Sequence, residues 1–240
     1  MSVVQNIVFL VNGYPLQSAI TSFTFSGENE ELDATTVDNS GYREYVAGFK
    51  TGNLNVSGIF DADNTDQDRI HDVFSSAYST GDAKNVLAST GTVSSGSPAI
   101  MLDGSIMNYA IPHEVASLIL SNANFRANTG IKFGRWLMYA AQAAGTNNGT
   151  SLDNSAASTN GGFLQVHLHN DDASDVDVKL QHSTNNTDWV DVSGGAVNNL
   201  SAAHTSGSVS VTGTINRYLR VVATVTGGDT FRVSAAFARG

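Results

Sequence analysis

The sequence predicts a mainly β protein with one flanking α-helix. Three observations predict this class: apolar and polar residues alternate in strand-like fashion near both ends of the chain, one segment has helical periodicity, and the composition suits short strands joined by turns. Hydrophobic residues make up 41% of the chain, charged residues 14%, and there are 23 glycines. A chain of 240 residues has enough apolar side chains for one large β domain or two modest ones.

The first 60 residues are predicted to be strands. The segment Ile7–Val11 and the segment Leu16–Phe25 flank Asn12-Gly13, a dipeptide that accepts the positive φ angles of a tight hairpin turn. The apolar start of the chain has no basic region before it and no cleavage motif after it, so it predicts a first strand and not a signal peptide. A second strand with period two is predicted from residue 53 to residue 60.

One helix is predicted from Thr65 to Tyr78. Its apolar side chains fall at the spacing of a single stripe, and Thr65 and Asp68 have the spacing of a capping box. Gly81 is the predicted stop. The stripe consists of Ile70, Val73, Phe74, Ala77 and Tyr78.

The rest of the chain predicts further strands around a polar interruption. Strand-like pieces occupy residues 105–111, 115–125 and 131–138, and three more with clear alternation follow residue 161. The small, polar residues between these two groups predict a linker-like or exposed loop. We therefore expect a β domain over 1–140, the loop over 141–161, and a C-terminal β-sandwich over 162–240.

Three clusters of residues invite a chemical interpretation. The acids from Asp61 to Asp68 begin like a calcium loop, but Asp66 replaces the required glycine, and an acidic helix N-terminus explains the cluster. His167 and His169 share one strand face opposite the apolar residues, so we expect solvated imidazoles in preference to a metal pair. Late arginines alternate with apolar residues and favour solvated faces or subunit salt bridges over an anion site; they are Arg217, Arg220, Arg232 and Arg239.

No enzymatic motif occurs in the sequence. It has no cysteine, which excludes a disulfide framework and a thiolate site, and it lacks the nucleophile-elbow, zincin, P-loop and dinucleotide-binding patterns. We therefore expect no catalytic residue, no cofactor site and no metal site. No apolar run approaches the roughly 20 residues that a membrane-spanning helix needs, so no membrane association is expected.

The net charge of −10 is concentrated in the first half of the chain. Residues 1–120 carry 14 acids and 4 bases, whereas residues 121–240 carry 8 of each. An acidic surface repels phosphate, which disfavours tight nucleic-acid binding. Ordinary solubility is the simpler explanation of this charge.

The segment from residue 31 to residue 61, followed at once by the predicted helix, resembles the signature stretch of siphophage major tail tube proteins. The family pattern consists of an Asp-x-Thr-Thr motif, an Arg-Glu or Arg-Lys pair, an apolar-Gly-apolar step and a closing Ser-Gly-x-Phe-Asp. This chain contains a similar series of residues, with Ala34 shifting the first motif by one position. The matching residues are Asp33, Thr35, Thr36, Arg43, Glu44, Gly48, Ser57, Gly58, Phe60 and Asp61. The last 65 residues are similar to the C-terminal portion of actinophage tail proteins, so the resemblance loosely covers most of the chain.

The resemblance implies a tail-tube-type β-sandwich or barrel that self-assembles into stacked, usually hexameric rings through which phage DNA passes without specific binding. Implied partners are further copies of the chain and other tail proteins, such as tape measure and tube-terminating proteins. The implied location is the virion tail, and the host cytoplasm during assembly. The helix is implied to pack on the outside of the barrel. Because acidic charge repels DNA, we expect the first half to form the wall, and the C-terminal sandwich to be an outer decoration or a second wall segment.

By the same resemblance, the long polar stretch from Glu28 to Lys50 is a loop that reaches an adjacent subunit. The expected inter-subunit contacts are Glu28, Glu30, Glu31, Asp33, Thr35, Thr36, Tyr42, Arg43, Glu44, Tyr45, Phe49 and Lys50.

Two other classes of function fit the residues. The chain could be a different virion structural protein, such as a head decoration or baseplate subunit. The second half could instead be a carbohydrate-binding sandwich in which Trp136 or Trp189 stacks on sugars, although a core or interface tryptophan is the simpler explanation.

Overall fold

A computed structural model describes residues 7–36, 41–62, 69–169, 175–201, 204–225 and 229–240 of the chain. Its elements within these ranges are one helix, α1 (Ile70–Thr80), and sixteen strands: β1 (Ile7–Val11), β2 (Tyr14–Pro15), β3 (Ile20–Asp33), β4 (Tyr45–Ile59), β5 (Lys84–Thr90), β6 (Pro98–Ala110), β7 (Leu120–Ala127), β8 (Lys132–Ala144), β9 (Thr146–Asn148), β10 (Leu152–Asp153), β11 (Gly162–Leu168), β12 (Val176–Ser183), β13 (Val190–Leu200), β14 (Thr205–Val211), β15 (Tyr218–Val225) and β16 (Thr230–Arg239). The prediction of a mainly β fold with one helix is confirmed.

The chain forms two compact units, each built from separated segments. The first unit contains residues 1–19, 84–102 and 132–240, and the second contains residues 20–83 and 103–131. These units cut across the predicted boundaries at residues 140 and 162, because strand pairing joins segments that are distant in sequence. The predicted loop over 141–161 contains two short strands, β9 and β10, which both pair with β15.

The first unit is a two-sheet sandwich. One sheet follows the order β14-β11-β16-β8-β6-β5-β1-β2, with β6 contributing its first residues, and the other follows the order β10-β15-β12-β13 with β9 beside β15. A large core joins the two sheets, with Leu164 and Val166 from the first sheet and Val178 and Val221 from the second among its fully buried members. This sandwich combines strands from the C-terminal region with β1, β2, β5, β8, β9, β10 and the start of β6.

The first turn of the chain has the predicted conformation but joins a different pair of strands. Asn12 and Gly13 both have positive φ, 49° and 89°, as a primed hairpin turn requires. The partner of β1 across this turn is the short β2, and its other partner is β5. The predicted partner segment, Leu16–Phe25, instead enters β3, which pairs with β4.

The prediction of solvated histidines on β11 is wrong. His167 is fully buried and His169 is 9% exposed. The strand lies between β14 and β16 and is covered on both faces: Leu164, Val166 and Leu168 enter the sandwich core, while Phe163 enters a second cluster with Trp136. Alternate side chains of β11 therefore enter two different buried clusters, and neither face of the strand meets solvent.

The second unit is an antiparallel sheet with the helix on one face. Its strand order is β3-β4-β7-β6, where β6 contributes residues 104–110. Four side chains of the predicted helical stripe, Ile70, Val73, Phe74 and Ala77, are buried, whereas Tyr78 is half exposed. Phe74 packs edge-on against Phe125 of β7, with ring centroids 5.8 Å apart.

The helix begins at Ile70 and ends at the predicted stop. Gly81 adopts the left-handed conformation with φ 69°, and its N–H donates to the carbonyl of Ala77. The predicted start at Thr65 and the capping pair of Thr65 and Asp68 lie outside the described residues. The described helix, at 11 residues, is too short to cross a bilayer.

Candidate functional site

The segment predicted as a long polar loop is largely a β-hairpin. Strands β3 and β4 pair from Ile20 opposite Gly58 to Asp33 opposite Tyr45, whereas β7 pairs with β4 only from Asn53 to Ile59. Past Gly52 the two strands therefore pair only with each other among the described strands. We call residues 28–36 and 41–50 the hairpin arm; its strand part, residues 28–33 and 45–50, extends about 20 Å at about 3.3 Å per residue.

All twelve residues predicted as inter-subunit contacts lie on the hairpin arm, and all are exposed. Four acids lie on β3: Glu28, Glu30, Glu31 and Asp33. Three residues lie on β4: Tyr45, Phe49 and Lys50. The other five flank the tip: Thr35, Thr36, Tyr42, Arg43 and Glu44.

The hairpin arm exposes an unusual amount of apolar surface. Tyr42, Tyr45 and Phe49 are 81%, 53% and 84% exposed, which at about 200 Å² per aromatic side chain amounts to about 400 Å². Leu32 and Val46, which lie opposite each other in the strand pair, add to this surface and are also exposed. Exposed apolar side chains gathered on one segment are typical of an interaction site.

Hydrogen bonds close the tip of the hairpin arm. The N–H of Thr35 donates to Oδ1 of Asp33 at 2.9 Å, and the N–H of Glu44 donates to Oγ1 of Thr35 at 3.0 Å. Hydrogen bonds from the side chain and the backbone of Thr35 hold the pKa of Asp33 below its ordinary value. Asp33 and Thr35 of the family-like motif therefore have a local role in shaping the tip.

A second exposed apolar segment connects β6 and β7. Residues 111–119, which we call the β6–β7 loop, expose Val115 completely and Leu118 by 69%. The sequence predicted a strand from residue 115, but β7 begins only at Leu120, so the prediction is wrong for residues 115–119. The apolar run of residues 115–119 favours a strand over a loop in the sequence. Alternation alone does not show which apolar residues pair with another strand.

One face of the second unit's sheet carries a patch of uncharged polar side chains. Ser22 and Thr24 on β3, Asn55 and Ser57 on β4, Asn122 and Asn124 on β7, and Asn108 on β6 line a shallow depression of about 270 Å³. Side chains bond across the strands: Asn124 Nδ2 donates to Asn55 Oδ1 at 2.7 Å, and Ser57 Oγ donates to Asn122 Oδ1 at 2.6 Å. We call this surface the neutral face. Asparagine is depleted in strands, so its repetition here has no explanation in strand propensity.

Charge divides between the two units as unevenly as it does between the halves of the sequence. The residues of the second unit carry 14 acids and 4 bases, a balance of −10, whereas those of the first unit carry 8 acids and 8 bases. The whole net charge of the chain therefore belongs to the second unit.

The tryptophans and the late arginines that could form other sites have structural roles within the described residues. Trp136 is fully buried, and the Arg220 guanidinium lies 4.4 Å from the ring centre of Trp189, so neither ring is a free platform for a sugar. Arg217 pairs with Asp153 at 2.6 Å and, with a backbone hydrogen bond from Ser155, lowers the pKa of that carboxyl to about 2.

The metal hypotheses find no support in the described residues. Most of the calcium-like cluster, residues 63–68, lies outside the described ranges. Within them, no group of three His, Asp or Glu side chains is placed to hold a metal ion.

Known proteins resemble this chain only weakly. No protein-family model and no curated protein matches the sequence. Among solved structures, a protein of the native gene transfer agent virion aligns with a TM-score of 0.44 at 11% identity, over 55% of this chain and 98% of its own. A protein from the tail of the empty gene transfer agent particle, refined with C6 symmetry, has a TM-score of 0.39 at 14% identity, over 48% and 81%.

The Dit protein of phage SPP1, described as a hub of the adsorption apparatus, aligns over 96% of this chain and 98% of its own. Its TM-score is 0.34 and its identity is 12%. The structural neighbours are thus components of virions and of a phage adsorption apparatus. TM-scores below 0.5 do not assign the chain to any of their families.

Proposed function

We propose that this chain is a structural protein of a phage virion, and that it self-assembles into stacked rings that form the tail tube for DNA passage. The sequence resemblance over residues 31–78 supports this function. Its further partners would be other tail proteins, such as tape measure and tube-terminating proteins. Assembly would take place in the host cytoplasm and the product would reside in the virion.

The observation that carries the proposal is the exposed hairpin arm. Its five exposed apolar side chains would cost solubility in a monomer, and they become buried only if another molecule covers them. An arm that pairs only with itself over about 20 Å is suited to reaching a neighbouring subunit.

The charge of the second unit supports a role for this unit in forming the lumen of the tube. A lumen that passes DNA must not hold phosphate, and this unit carries the whole net charge of −10. The neutral face is a suitable lining, because its hydroxyl and amide side chains already bond to one another across the strands. We assign the neutral face to the lumen.

A baseplate or hub subunit remains the second candidate, because an arm of this kind also serves a closed ring of fixed size. Negative-stain microscopy of the purified full chain distinguishes the two. Hollow tubes of indefinite length support the tail tube, and uniform single rings support the hub. Monomers at every concentration and ionic strength would contradict both.

A variant without the hairpin arm tests the role of that arm. We expect a chain in which residues 28–50 are replaced by a short Asn-Gly turn to keep its β circular-dichroism spectrum and to remain monomeric. Tubes formed by this variant would show that the arm makes no essential contact. A matched variant that replaces Val190, an exposed apolar residue of the first unit, with Ser should assemble as the wild type does.

A further inference from the structure

We infer that the hairpin arm of one copy seats against the β6–β7 loop of the next copy, in a head-to-tail contact. The inference rests on the proposed function and deepens it, since it names the surface that receives the arm. The observation behind it is that one sheet exposes two apolar segments, at its two opposite ends.

Strand register places the two segments far apart. On β4, Ile59 lies opposite Leu120, the first residue of β7, so the β6–β7 loop lies beyond that end of the sheet. The hairpin arm leaves the sheet past Asn53, at the other end. Ile59 and Tyr45 are 14 residues apart on β4, which is about 45 Å at about 3.3 Å per residue. A chain cannot cover its own loop with its own arm.

Charge favours an arm-to-loop contact over an arm-to-arm contact. Residues 28–50 carry six acids and two bases, so two arms side by side would bring like charges together. The β6–β7 loop holds one carboxylate, Glu114, and no lysine or arginine. Its exposed side chains include Val115 and Leu118, so it offers apolar surface at little electrostatic cost.

The size of the surfaces also points to a second copy. The aromatic side chains of the arm expose about 400 Å², which is half of the roughly 800 Å² that each partner contributes to a standard interface. The aliphatic residues and the strand edges can supply the remainder. A contact between two different patches of the same chain is heterologous, so it generates closed rings or continuous stacks and not isolated two-fold dimers.

A mixing experiment tests this geometry directly. The arm variant Phe49→Glu keeps the loop intact, and the loop variant Val115→Glu/Leu118→Glu keeps the arm intact; all three positions are exposed, so both variants should fold. We expect each variant alone to be monomeric by light scattering. Mixed in equal amounts, they should form a complex of twice the monomer mass and grow no further, because only one intact arm-and-loop pair exists.

The outcomes separate this inference from the proposed function. Wild-type tubes together with a monomeric mixture would overturn the arm-to-loop contact and leave the tail tube standing. Wild-type monomers under all conditions would overturn both. The control Val190→Glu places the same charge on an exposed apolar residue of the first unit, and it should assemble normally. Loss of its assembly would show that the added charge acts nonspecifically, and would also count against the inference.

Cross-linking supplies a second test, because the chain has no cysteine. In the double variant Phe49→Cys/Val115→Cys, a short bismaleimide should produce a ladder of covalent multimers on a denaturing gel. The pair Phe49→Cys/Val190→Cys should produce none. A double variant that stays monomeric on the gel while tubes are visible by microscopy would refute the contact.

Discussion

The backbone N–H of Gly13 donates a 3.0 Å hydrogen bond to Nδ1 of His167, whose ring is fully buried. Because Nδ1 accepts this bond, the proton of the neutral ring lies on Nε2, which has no hydrogen-bond partner among the described residues. The bond ties the first turn of the chain to a central strand of the first unit, across 154 residues of sequence. It holds only while His167 is neutral.

We expect the stability of the first unit to fall as the pH drops from about 6.5 to about 4. Burial, and then the nearby charge of His169, lowers the pKa of His167 well below its ordinary value. Burial, followed by Arg232 and His204, lowers the pKa of His169 to about 4. The unfolded chain binds these protons first, near pH 6.5, so each step down in pH favours unfolding until the folded state is also protonated.

Protonation of His169 alone lowers the free energy of unfolding by about 3 kcal/mol over this pH range. Urea denaturation at a series of pH values measures this free energy. In the variant His169→Gln the dependence on pH between 6.5 and 4 should be weaker by a similar amount. A variant with the full wild-type slope would show that His169 is not the group responsible.

Substitution of Gly13 by alanine should destabilise the first unit by roughly 3 kcal/mol or more. An added Cβ would clash with the carbonyl oxygen of Leu168 and lie 2.8 Å from the backbone of His204, and the φ of 89° is unfavourable for alanine. Gly91 is a matched control, since its φ is 92° and nothing lies within 4 Å of its added Cβ. Gly91→Ala should cost only about 1 kcal/mol. Equal losses in urea denaturation would show that the close approach at Gly13 relaxes without cost.

The sequence correctly predicts helices and strands that have one face in solvent and the other face in a core. Helix α1 follows this rule, and its stripe and its stop at Gly81 are confirmed. Strand β11 does not follow it, because both of its faces are interior, and the alternation therefore wrongly predicts that His167 meets solvent. A single sequence shows that a strand alternates, but it does not show what covers each side.

The strands of the hairpin arm are not predicted from the sequence, for the opposite reason. Both of its faces meet solvent, so burial imposes no alternation on residues 28–33 or 45–50, and the acidic composition resembled a loop. Its twelve contact candidates were named through family resemblance and not through strand pattern. The β6–β7 loop was missed because Val115 and Leu118 are apolar and yet lack a partner strand, which only tertiary structure reveals.

Removal of the Asp33 carboxylate should loosen the tip of the hairpin arm and leave the rest of the fold unchanged. In Asp33→Ala the N–H of Thr35 loses its acceptor, and the bond from the N–H of Glu44 to Thr35 Oγ1 weakens with it. Hydrogen exchange should be faster at the amides of Thr35 and Glu44. Exchange in β7 should not change, and faster exchange there would mean that the tip supports the whole sheet.

A cation placed on the neutral face should make the protein retain DNA. In Asn55→Lys/Asn124→Lys the substitution removes the cross-strand bond of 2.7 Å and puts two positive charges where the proposed lumen lies. Each phosphate contact adds salt-dependent affinity, so fluorescence anisotropy with a labelled duplex should show binding at low ionic strength that disappears as salt is added.

The wild type should show no such binding, and a variant with one lysine at exposed Val190 should bind far less than the double variant. In assembled tubes the two lysines of every copy would line the same passage, so retention should be stronger in tubes than in free subunits at equal chain concentration. Equal retention in tubes and free subunits would place the neutral face outside the lumen, even if the tubes themselves form normally.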